Sequence, residues 1–144
     1  MWHRRARANG RRDRGAAAVE LAILLPLVLL IIGGIIDFGR FFFTKIELTN
    51  AAREGVRAAM VPVTTPGPLP TSRALAALPG IAPGVVTVSV QQCISGSASP
   101  TNARAQVLMP TFSWMILQPA LNVLGGPVSL PPSVMATAVM KCGG

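Results

Sequence analysis

The sequence predicts an α+β protein built as a rod with a head: a long N-terminal transmembrane helix continuing as a stalk, then a small three-stranded, mostly antiparallel sheet. Three observations carry this. Residues 21–36 run for sixteen positions without a charge, behind an arginine-rich leader. Residues 37–60 then turn amphipathic and contain no proline. Beyond a proline-rich stretch, valines alternate with polar residues in the period-two rhythm of a strand.

A chain of 144 residues has room for this anchor and one small domain, and 51% hydrophobic against 12% charged residues suits a membrane-associated protein better than a disordered one. The charge of +8 is unevenly spread: residues 1–15 hold six arginines against Asp13, a net +5, and no acidic residue follows Glu54. A basic segment before a first membrane helix holds that end in the cytoplasm and sends the other end across. Lipid is thus an expected partner. Nucleic acid is not, because the leader offers only Trp2 for base stacking and the apolar run follows at once. A removable secretory signal would need a small-residue cleavage site after the apolar run, where Asp37, Phe38, Gly39 and Arg40 stand instead.

The leader spans residues 1–15 and the membrane segment residues 16–36. As a helix, those 21 residues reach about 32 Å, close to the thickness of a hydrocarbon core. Glu20 is the one charge within them. An ionised side chain at mid-bilayer costs on the order of 3 kcal/mol, so it needs a purpose, or it lies near the edge and snorkels to the interface. Pro26 lacks an amide donor and predicts a kink, while Gly33 and Gly34 permit close helix approach, as they do in many membrane helices. Along residues 37–60, Phe38, Phe42, Ile46, Ala52, Val56 and Met60 fall near one helical stripe, and Asp37–Arg40 and Glu54–Arg57 are spaced to pair on a solvated face.

Residues 61–84 form a proline-rich linker carrying a short helix at 71–78, and residues 85–144 form the sheet domain. Strands are predicted at 85–91, 103–109 and 134–141, the first two joined through turn-forming residues 95–102 as an antiparallel hairpin. Residues 112–124 are an apolar connection with a helical turn at 119–124, closed by Gly125 and Gly126. Phe112, Trp114, Met115, Ile116 and Leu117 either cover the sheet or face a partner.

Cys93 and Cys142 follow the first and last strands. In an extracytoplasmic head they are expected to pair, closing a 49-residue loop for about 4 kcal/mol by the chain-entropy account. Since bridged Cα atoms lie about 5.5 Å apart, the outer strands are parallel neighbours or their ends curl around an intervening strand. Two thiols without histidines do not fill a zinc site, so no metal is expected. The only histidine, His3, lies in the leader, and the head has no carboxylate side chain; with no phosphate- or dinucleotide-binding glycine pattern either, neither enzymatic activity nor a cofactor is expected.

The run RGAAAVELAILLPLVLL, then IIDFGRFFF, then LTNAAREGVRAA resembles the TadE-like family of the bacterial tight-adherence (Tad or Flp) pilus system over about residues 14–60. Asp37, Phe38, Gly39 and Arg40 match its acidic-Phe-Gly-Arg turn of helix, and Asn50, Arg53, Glu54 and Gly55 fall in its second motif. The resemblance implies a pilin-like layout and a pseudopilin or minor-pilin role. It implies that a prepilin peptidase cuts between Gly15 and Ala16, and that Glu20 serves assembly, pairing with the new Ala16 ammonium of a neighbour. Leu21 follows the acid where such sites usually carry an aromatic. The implied partners are that peptidase, other Tad pilus subunits and an inner-membrane assembly platform. The implied location is the bacterial cytoplasmic membrane, single-pass, N-terminus inside, with incorporation in a surface pilus as the end point. The alternative is an unprocessed bitopic protein whose head scaffolds an envelope or secretion complex.

Overall fold

A computed structural model describes residues 9–96, 101–125 and 128–142, with side chains from residue 15 onward. The leader before residue 9, the middle of the predicted turn at 95–102, and Gly126 lie outside the described residues.

One helix, α1 (Asn9–Ala59), makes up the anchor and stalk and runs unbroken through Pro26. It begins within the leader, earlier than residue 16. Two short helices, α2 (Leu69–Ala76) and α3 (Leu117–Val123), and three strands, β1 (Thr87–Gln91), β2 (Asn102–Met109) and β3 (Val134–Lys141), form the head. The short helix predicted at 71–78 starts two residues earlier, with Pro70 in its first turn, where a missing amide costs nothing. β1 starts later than residue 85 because Pro83–Val85 winds into a 3-10 turn.

The predicted three-stranded sheet is present, in the order β1-β2-β3 with both pairings antiparallel. Val88 pairs with Val107 and Val107 with Ala136, so one face collects small and branched apolar side chains. That face lies on α1. Ala103, Ala105, Val107 and Met109 of β2 alternate inward against Leu48, Ala51, Ala52, Val56 and Ala59 of the stalk. Small residues on both sides let sheet and helix approach closely. At Gly55, a side-chain carbon would lie 3.0 Å from the Ala74 Cβ and 3.4 Å from that of Ala105, so α1, α2 and β2 converge on a glycine.

The cysteines pair as expected: Cys93 and Cys142 are disulfide-bonded with Cα atoms 5.7 Å apart. β2 lies between the outer strands, so their ends curl around it. The curl is guided by backbone bonds. The Cys93 amide donates to the Ala59 carbonyl (3.0 Å) at the C-terminal end of α1, and the Cys142 amide donates to Thr101 (2.9 Å). Val63 bridges Ile94 in parallel, so the chain leaving α1 is tied to the same corner.

Candidate functional site

The buried strip of the stalk differs from the stripe that hydrophobicity suggested. Ala52 and Val56 are buried, but Phe42 and Ile46 are exposed. The residues under the head include Asp37, Leu48, Ala51, Gly55 and Ala59, centred roughly a third of a turn from the predicted stripe at 100° per residue. The docking face combines small residues with Leu48, Val56 and one acid, while the exposed Phe42 and Ile46 lie off it.

Asp37 anchors the end of that strip nearest the apolar run and is fully buried, not on a solvated face. Its Oδ1 accepts the Met115 amide (3.1 Å), and its Oδ2 accepts the Ile116 and Leu117 amides (both 2.8 Å). These donors lead into α3, where the first amides of a helix have no intrahelical acceptor. The carboxylate supplies one, so α3 begins at Leu117, ahead of the predicted residue 119. Burial pushes the Asp37 carboxyl up, but the three amides and the Arg40 guanidinium outweigh it and hold the group below the usual carboxylate range.

Arg40 makes the expected i,i+3 pair, 3.7 Å from Asp37, and donates to the Ser113 carbonyl at 3.4 Å. Its guanidinium lies 5.7 Å from the Phe112 ring centre. Phe41 stacks on Trp114 (5.4 Å between centroids) and meets Phe112 edge-on (5.6 Å), and Phe38 meets Trp114 edge-on at 5.7 Å. The Trp114 Nε1 donates to the Pro131 carbonyl (2.9 Å), and the Leu130 amide donates to Gln118 Oε1 (2.9 Å), closing the connection on itself. Phe112 is buried and Trp114 half-buried, but Met115 is exposed. The connection therefore covers the sheet with one end and turns apolar side chains outward with the other.

Gly33 completes the site. A side-chain carbon there would fall 3.1 Å from both the Cβ and Cδ1 of Ile116, and one on Gly34 would lie 3.7 Å from Leu117 Cδ2. Ile116 thus sits in a notch that only glycine leaves open.

The remaining motif residues divide between faces. Gly55 is buried at the α1–α2–β2 junction, and Glu54 pairs with Arg57 at 3.4 Å. Gly39 meets nothing within 4 Å, and Asn50 and Arg53 line a shallow cleft with Lys45, Ile46 and Thr49. Gly15, Ala16 and Glu20 stand exposed on α1, far along the rod from the clasp. The close approach expected at Gly33 is present, with Ile116 as the neighbour, whereas reading the sequence for hydrophobicity missed the small-residue strip. The recurrence of Ala51, Ala52, Gly55 and Ala59 at helical spacing was the available signal.

Residues 15–57 match the family model described as TadE-like protein. Over those residues the chain is similar to that family. The match takes in the apolar run, Asp37 and Gly55, and stops before the head. No curated protein and no solved structure matches the chain. Among the described residues, one helix is long and apolar enough to cross a membrane, which fits a single-pass membrane protein.

Proposed function

We propose that this protein is a pseudopilin or minor pilin of Tad-type pilus assembly, a structural part and not a catalyst. In this reading residues 16–36 span the cytoplasmic membrane with the N-terminus inside, residues 37–60 lift the head beyond it, and a prepilin peptidase removes the leader after Gly15. The observation that carries it is the TadE-like match, which covers residues 15–57 and so the apolar run and most of the stalk. The bare helix supports it: Val19, Ile23 and Leu27 are largely exposed, so this length of α1 needs lipid or neighbouring helices around it.

Cleavage would do two things at once. It removes five net positive charges that resist leaving the cytoplasmic face, and it creates an ammonium on Ala16 able to pair with Glu20 of a neighbour. The partners in this reading are the peptidase, other Tad pilus subunits and the inner-membrane assembly platform. The test is the intact mass and N-terminal sequence of the membrane-extracted protein, with and without the peptidase. A start at Ala16 that depends on the peptidase is expected. Retention of the leader in both cases would favour an unprocessed bitopic scaffold. Glu20→Ala is expected to insert normally yet be absent from pili purified from the surface, and undiminished incorporation would refute the pairing.

A further inference from the structure

The connection between β2 and β3 holds apolar surface that neither the sheet nor the stalk covers, and its position along α1 says what does. Ile116 is seated on Gly33 and Leu117 against Gly34, both inside the apolar run that ends at residue 36. Three residues of helix are about 5 Å, so α3 begins at the depth of the upper acyl chains whenever the run is fully immersed. We infer that residues 115–124 form a second membrane contact, a foot that lies in the outer interface of the bilayer beside α1. This rests on the reading of residues 16–36 as a membrane span and is independent of pilus assembly.

The chemistry of the foot suits lipid. No charged residue occurs between Arg104 and Lys141, and Met115, Val123 and Leu124 are 64%, 87% and 72% exposed. Exposed backbone amides are costly near hydrocarbon, and here the leading ones are taken: Asp37 accepts three, and Ala120 and Leu124 donate within α3. Trp114 and Phe38 sit beside the foot as aromatic residues do at a membrane interface, with Arg40 next along the stalk to meet lipid phosphates. A short uncharged helix exposing Val123 and Leu124 beside the exposed Asn122 would bind a bilayer surface through the apolar area it buries. The foot would fix the rotation and tilt of the head, which a single spanning helix leaves free.

The test uses the full chain, with its native disulfide, in vesicles of phosphatidylethanolamine and phosphatidylglycerol carrying lipids brominated at known depths. A fluorophore is placed through Val123→Cys, Leu124→Cys, Ile31→Cys or Arg73→Cys in separate samples. Quenching at 123 and 124 by lipids brominated high in the chain is expected to exceed that at Arg73 by at least about twofold. Ile31 is expected to respond to the deepest bromines. If Ile31 is quenched while 123 and 124 match Arg73, the foot is refuted and the span stands. If Ile31 is not quenched, the span fails and the foot with it. Labels at 123 and 124 shielded from aqueous iodide yet unquenched by bromine would overturn lipid contact in favour of a second copy of the chain. As a second variant, Val123→Asp with Leu124→Asp is expected to reduce quenching of a Met115→Cys label to the Arg73 level; unchanged quenching there would also overturn the foot.

Discussion

At the level of Ala59 the head is held to the stalk by a backbone bond from the disulfide-bonded Cys93 and a seam of small side chains; at the level of Asp37 it is held by one carboxylate, three amides, a glycine notch and the stacking of Phe41 on Trp114. The two ends lie 22 residues apart on one helix, about 33 Å. The distal fastening is a backbone bond and a seam of small side chains, set by a disulfide that ties the head's outer strand ends together, so it depends on oxidation within the head and on close approach. The proximal fastening is electrostatic and reversible, and it lies where α1 leaves its apolar run. Two attachments of different chemistry on one rod can therefore be weakened separately by substitution.

The largest break in this comparison is distal. Cys93→Ser with Cys142→Ser removes a 49-residue closed loop and is expected to lower unfolding free energy by about 4 kcal/mol, read from chemical denaturation in detergent by the near-ultraviolet dichroism of the aromatic cluster. A loss below about 1 kcal/mol would mean that the small-residue seam alone holds that corner. At the proximal end, Asp37→Asn keeps size but leaves one carbonyl oxygen where two oxygens now serve three amides. The expected loss is about 1–3 kcal/mol, together with a changed environment for Trp114 and an intact disulfide.

Much of the fold was legible. The apolar run, the alternation of valines and the placement of two cysteines after strands specify helix, sheet and bridge through the two elementary periodicities and the geometry of a disulfide. The face of the stalk that meets the head was not. Phe42 and Ile46 dominate any search for an apolar stripe, yet they point away from the sheet, because docking there selects for small size and Ala51, Gly55 and Ala59 carry little hydrophobic signal. Asp37 and Arg40 look like a surface pair from spacing alone, since the donors that bury Asp37 are backbone amides about eighty residues later, invisible to composition. The neighbour of Gly33 hid in the same way: glycines are common in membrane helices, and only the seat of Ile116 distinguishes this one.

Two smaller effects sharpen the contrast. Gly33→Ala places a methyl group against a β-branched side chain and is expected to dislodge Ile116 for about 1–3 kcal/mol, partly offset by better helix propensity, with the distal seam unmoved. A rise in thermal stability would contradict the notch. Acid is expected to act on the proximal end alone. The folded pKa of Asp37 is depressed, so its stabilisation is present above the unfolded carboxylate value, about 3.9, and is lost as pH falls through the lower folded value.

The most direct measurement is amide hydrogen exchange at Met115, Ile116 and Leu117 in the intact protein and in Asp37→Asn, followed together with the β2 amides. The carboxylate clasp predicts that the three amides are protected, that the substitution speeds their exchange at least about tenfold, as a loss of 1.4 kcal/mol would, and that β2 protection barely changes. Rapid exchange at the three amides in the unsubstituted protein, or equal acceleration throughout the sheet, would contradict a head held at two independent ends.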